Sequence, residues 1–154
     1  MPRTETSKSP TIRFEVVTPI LRVRDLAASI AYYGHVLGFT LDWHDPGNMA
    51  AVSRDRAVIM LCEGDQGNHA TWVWIGVNDA AVLFDEYTAK GATVRLAPTN
   101  YPWAYEMQIE DPDGHVLRFG SEPKVDRPFG EWRDMRGDNW VRSPAGEWTR
   151  VERA

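Results

Sequence analysis

The residues able to ligate a metal or attack a substrate are few and scattered. Four histidines (His35, His44, His69 and His115) and one cysteine, Cys62, occur in 154 residues. His44, His69 and His115 show neither i, i+4 nor H-x-H spacing, so they form no ligand pair on one helix or strand. A single cysteine makes neither an intrachain disulfide nor a cysteine-based zinc cluster. His35 falls in a helix and Cys62 in an apolar strand, where each reads as a packed side chain. Asp111 and Asp113 could pair as general acid and base, but Asp111-Pro112-Asp113-Gly114 is a hairpin turn, with Pro presetting φ and Gly supplying a positive one. His115, directly after that glycine, is expected in solvent. No G-x-S-x-G elbow, phosphate-binding G-x-x-x-x-G-K-[ST] loop or dinucleotide fingerprint is present. The Gly64–Asn68 loop, GDQGN, is too short and polar for a phosphate cradle. Nothing marks a nucleophile.

Aromatic side chains carry the stronger signal, with seven tryptophans in the chain. Alternation along Ala70–Val77 puts Trp72, Trp74 and Gly76 on one strand face and Val73, Ile75 and Val77 on the other. If the aliphatic face meets a helix, Trp72 and Trp74 line the opposite face, where broad rings and a few charges suit a planar or amphipathic ligand. The bland alternative is that both rings fill a core. Trp43, two residues past Leu41 on the same strand face, lines that surface or stacks under the C-terminal tail. Trp103 and Tyr105 are rim candidates or loop anchors. Arg118 is either a free cation for a ligand carboxylate, phosphate or sulfate, or the partner of Glu106 or Glu110.

The elements that position these residues come as a repeat. Val23, Asp25 and Tyr33 match Val77, Asp79 and Tyr87 at a spacing of 54, and Gly38 and Leu41 match Gly91 and Val94 at 53. Each copy reads as strand, helix, glycine stop and strand, with Asp25 and Asp79 as N-caps and Gly38 and Gly91 as left-handed C-caps. Leu26, Ile30, Tyr33 and Leu37 form one buried helix stripe, and Leu83, Phe84 and Tyr87 the other. Strands are expected at Phe39–Asp45, Met49–Arg54, Arg56–Glu63, Ala70–Val77, Tyr105–Glu110 and His115–Gly120. The chain is therefore α+β: two β-α-β-β-β modules over residues 13–120, the first 13–63 and the second 70–120, with helices on one face of mixed sheets.

Residues 121–154 differ in character. They hold seven acids and seven bases, so the body supplies the net charge of −5. Trp132, Trp140 and Trp148 recur every eight residues, and a hairpin is expected around Pro144-Ala145-Gly146. This extension reads as ordered, pinned by its tryptophans against the body or a partner subunit. An acidic balance argues against a nucleic-acid surface. The longest apolar run, Ala57–Cys62, is too short for a membrane span. The polar N-terminus lacks a secretory core, and one cysteine suits the cytoplasm.

The stretches VRDLAASIAYYGHVLGF and YPWAYEMQIEDPDGHVLRFGSEP resemble the vicinal oxygen chelate superfamily, within its glyoxalase/bleomycin-resistance/dioxygenase group. The resemblance spans roughly residues 13–123. It implies paired modules whose curled sheets form a cup, commonly completed in a homodimer. It places Thr18, Met60, Trp72 and Arg118 where other members hold a metal, a set without the donors that a divalent ion needs. The metal-free branch of bleomycin-resistance proteins is the nearer match, through Leu117–Gly120 and the Pro102-Trp103 pair. The expected function is sequestration of an aromatic or amphipathic ligand by Trp72, Trp74, Arg118, Trp43, Trp103 and Tyr105, with no cofactor or metal. The alternatives are a metal-dependent lyase or dioxygenase, and a protein-interaction module built on the tryptophan tail.

Overall fold

The computed structural model describes residues 11–153. Most of the N-terminal segment read for a secretory signal lies outside that range. Two helices and eleven strands follow in order: β1 (Ile20–Arg22), α1 (Leu26–His35), β2 (Thr40–Asp45), β3 (Met49–Arg54), β4 (Ala57–Cys62), β5 (Trp72–Gly76), α2 (Ala80–Ala89), β6 (Thr93–Asn100), β7 (Tyr105–Glu110), β8 (Val116–Ser121), β9 (Trp132–Arg133), β10 (Asn139–Arg142) and β11 (Trp148–Arg150). The first sheet has the order β1-β4-β3-β2 and the second β5-β8-β7-β6. In each, the strand before the helix pairs parallel to the last strand, and the remaining pairs are antiparallel. The fold is α+β, with two four-stranded mixed sheets, helices packed between them and a small third sheet at the C-terminus.

The capping residues act as their chemistry dictates. Asp25 accepts from the Ala28 amide at 2.9 Å, and Asp79 accepts from the Ala81 and Val82 amides at 3.0 and 3.1 Å. Gly38 and Gly91, at φ of 75° and 77°, turn the chain out of each helix. One core joins the halves. Leu21, Leu26, Leu37, Ile59 and Leu61 pack in the same cluster as Met107, Ile109, Leu117 and Phe119.

The repeat-related tyrosines cross-link the halves. Tyr33 donates to Asp111 Oδ2 in the second half at 2.9 Å, and Tyr87 donates to the Leu37 carbonyl in the first at 2.9 Å. His115 corrects the sequence reading: it is buried, not solvated. Its Nδ1 accepts from the Thr71 amide at 3.0 Å, which leaves the ring proton on Nε2 to donate to the Arg22 carbonyl at 2.6 Å. The imidazole thus satisfies two backbone groups, one from each half, that burial would otherwise leave unpaired.

A second correction concerns β2. The register shifts between Leu41 and Trp43, so Leu41 opposes Val52 and Trp43 opposes Ala51. Two steps on one strand match one on its partner, and the two side chains therefore hold opposite register positions.

Candidate functional site

On the second sheet, the alternation of β5 sends Val73 and Ile75 into the core and leaves Trp72 and Trp74 about half exposed, at 50% and 48%. Cross-strand pairing extends this outer face through Arg118, Gln108 and Leu96 in one row, and through Gly76, Gly120, Glu106 and Thr99 in the next.

Arg118 is not a free cation. Its Nε and Nη2 donate to Glu106 Oε2 at 3.2 and 2.8 Å, and Nη2 also reaches Oε1 at 3.0 Å. Glu106 is buried, and this ion pair cancels its charge. The guanidinium lies 5.1 Å from the Trp74 ring centroid. Trp74 is held flat by a missing side chain, since a Cβ on Gly120 would come within 2.2 Å of its ring. A second layer repeats the theme: Arg95 lies 5.0 Å from the Trp72 centroid and 3.9 Å from Glu110. Arg95 sits between the register-shifted pairs of Val94 and Leu96, where a bulge re-aims a side chain. This face therefore presents two tryptophan–arginine layers with balancing carboxylates, an aromatic slot with little net charge.

The other sequence candidates fall elsewhere. Tyr105 shares a strand face with Met107 and Ile109, opposite Glu106, and its ring takes Lys124 and Arg127 at 5.2 and 5.3 Å. Trp43 stands on the first sheet. Trp103 stacks on Tyr101 at 4.8 Å and meets Trp132 and Trp148 of the C-terminal extension. Sequence reasoning passed over Arg95, Tyr101 and the space-making role of Gly120. The only signal for that glycine was its position two residues past Arg118, on the Trp74 side of the sheet.

The superfamily's metal site does not fit these residues. Met60 pairs beside Ile20 on the first sheet, Trp72 and Arg118 lie on the second, and the buried Glu106 carboxylate is already engaged by a permanent cation. Among the described residues, no three His, Cys, Asp or Glu gather as a ligand group.

A cavity of about 510 Å³ lies on the other face, between α2, β5 and the β3–β4 turn, lined by Ile75, Leu83, Tyr87, Phe119 and Arg54. Arg54 closes one side, donating to the Leu37 carbonyl and to Glu86, both at 2.9 Å. The tryptophan face, by contrast, is open, with Trp72 and Trp74 about half exposed.

A two-module α+β protein, each module a four-stranded mixed sheet with one helix, is the class that this architecture defines. The chain belongs to the Glyoxalase/Bleomycin resistance protein/Dioxygenase superfamily, which it matches over residues 13–119. Solved structures share the fold. The bleomycin-binding protein of bleomycin-producing Streptomyces verticillus, complexed with copper(II)-bleomycin, aligns with a TM-score of 0.62 at 23% identity, covering 74% of this chain and 100% of that one. TnmS3, an antibiotic-binding protein from Streptomyces sp. CB03234, gives 0.64 at 20% identity, covering 74% and 100%. A bleomycin resistance determinant encoded on the transposon Tn5 gives 0.61 at 21% identity, covering 71% and 98%. No curated protein matches the chain. Among the described residues, no helix is long and apolar enough to cross a membrane.

Proposed function

We propose that this protein binds a small aromatic or amphipathic ligand on the Trp72–Trp74 face, without a metal and without chemical conversion, as a cytoplasmic homodimer whose second copy supplies the facing wall. The observation that carries this reading is the Trp74–Arg118–Glu106 group. Where a metal-dependent relative needs exchangeable donors, this chain has a permanent cation locked to a carboxylate and layered on an indole. Such a group offers a ligand stacking area but no open coordination position. The antibiotic-binding neighbours support a small-molecule ligand, and the half-exposed tryptophans of an otherwise packed sheet support a face made to be covered.

Pairing with Glu106 also changes the ligand's expected charge. A free Arg118 would repel a cationic compound, whereas the neutralised pair does not. Flat ligands of either sign are therefore admitted.

Tryptophan fluorescence quenching against a panel of planar compounds tests the proposal. Trp72→Ala and Trp74→Ala are each expected to weaken the best ligand at least ~tenfold, or ~1.4 kcal/mol. Unchanged affinity in both variants would remove this face as the site. Elemental analysis finding about one divalent ion per chain, lost on substitution of Trp72 or Glu106, would overturn the metal-free reading.

A further inference from the structure

The C-terminal extension lies beyond the region matched to the family, and its packing ties it to the same sheet. Asn100, buried at the end of β6, holds its route: Nδ2 donates to the Lys124 and Arg127 carbonyls at 2.8 and 3.2 Å, and Oδ1 accepts from the Lys124 amide at 2.7 Å. The Asn100 carbonyl accepts from the Gly130 amide at 2.7 Å. Gly130 presses on Thr99, where a Cβ would come within 2.3 Å of the Thr99 methyl. Thr99 is the cross-strand partner of Glu106, so the chain crosses the edge strand β6 beside the Glu106 row.

Beyond this crossing, β9, β10 and β11 form a three-stranded antiparallel sheet. Its register puts Trp132 opposite Trp140 and Trp148 opposite Arg142, on one face. Trp132 and Trp148 meet each other at 6.0 Å and Trp103 at 5.9 and 6.4 Å. Trp103 stacks on Tyr101 at 4.8 Å, in the loop that joins β6 and β7. The buried Tyr101 thus backs Trp103, and the exposed aromatic cluster of the extension is Trp103 with Trp132 and Trp148. Trp103, Trp132 and Trp148 remain 43%, 38% and 40% exposed, more than a closed aromatic core would leave.

We infer that the extension supplies a second stacking platform, Trp103 with Trp132 and Trp148, and so selects ligands with two flat aromatic units on a short linker. This deepens the proposed function and rests on the Trp72–Trp74 face being the first platform. The spacing suits such a ligand. Trp74 lies over Gly120 on β8, and the extension meets the same sheet at Thr99 on β6, two strands away or roughly 10 Å at the usual strand separation. Two units bound on linked platforms gain affinity through effective concentration, whereas a single unit does not.

Two probes separate the cases: anilinonaphthalene sulfonate, with one fluorophore, and bis-anilinonaphthalene sulfonate, with two joined. With the full chain, the double probe is expected to bind at least ~tenfold more tightly than the single one. Trp148→Ala and Gly130→Val, the second of which keeps every ring but pushes the extension off Thr99, should each abolish that advantage while leaving the single probe within about twofold. Trp148→Phe should restore part of it, which a loss of folding would not allow. If the advantage is missing in the native chain, or survives both Trp148→Ala and Gly130→Val, the second platform is overturned. Trp74→Ala distinguishes the two readings: weaker binding of both probes upholds the first platform whatever the extension does, and no change in either overturns both.

Discussion

Arg118 and Glu106 bind each other through three short contacts, and the consequence differs for each partner. Removing Arg118 leaves Glu106 buried with no counter-charge, whereas removing both leaves two apolar side chains beside Trp74. Arg118→Met is therefore expected to cost about 3 kcal/mol, and Arg118→Met with Glu106→Leu close to nothing, by urea unfolding. Equal losses in the single and double variants would show that the pair is not the source. Asp111 is the second residue whose surroundings decide its behaviour. Burial pushes its carboxyl above the usual range, against the nearby His115 and the hydrogen bonds from the His115 amide, Tyr33 and the Asp113 amide. Between the ordinary value, about 3.9, and that raised one, the native state keeps a proton that the unfolded chain has released. Stability through Asp111 consequently falls as pH rises across that window. Asp111→Asn should flatten this part of the curve of melting temperature against pH, and an unaltered slope would assign it to another group.

At the scale of elements, the two helices are near repeats with unequal caps. Asp79 accepts two amides and Asp25 one. Asp79→Ala should cost about 1 kcal/mol, lowering the melting temperature by about 3 °C, and Asp25→Ala no more than that. The extension is an element with its own devices. Asp134 accepts from the Arg136 and Asp138 amides in the first turn and from the Trp140 indole at 2.9 Å, and these bonds hold its carboxyl below the usual range, the Trp140 bond most. Trp140 is thus spent inside the extension, and of the three regularly spaced tryptophans Trp132 and Trp148 make the contact with Trp103 of the body. Attachment depends on Asn100. Asn100→Ala should expose residues 122–131 to rapid proteolytic cutting while the core resists; resistance equal to that of the native chain would place the anchor in the tryptophans alone.

For the whole molecule, an open face with half-exposed Trp72 and Trp74 and a half-exposed Trp43 on the other sheet calls for a covering surface. The proposed homodimer is expected to sediment at twice the 17.5 kDa chain mass. Its dissociation on dilution should run in parallel with loss of ligand quenching, because the groove needs both walls. A monomer that binds with full affinity would contradict this.

Much of the architecture follows from local chemistry and is legible along the chain. Asp25 and Asp79 as caps, Gly38 and Gly91 as helix stops, the turn at Asp111–Gly114 and the alternation at Trp72–Gly76 depend on neighbours a few residues away. The repeat spacing of 54 then doubles one module into the fold. What the chain could not reveal is which distant groups meet. Tertiary structure decided that Arg118 pairs with Glu106 and not with Glu110, because the β7–β8 register brings Glu106 within reach and burial makes its carboxylate demand a cation. It decided that His115 leaves solvent to bridge Thr71 and Arg22, 44 and 93 residues away. It separated Tyr105 from the tryptophan face and turned Trp43 away from Leu41 through a bulge, since a period of two assigns faces only while the register stays unbroken. Pairing across long sequence separations rests on register and desolvation, and neither quantity is written in any local window of residues.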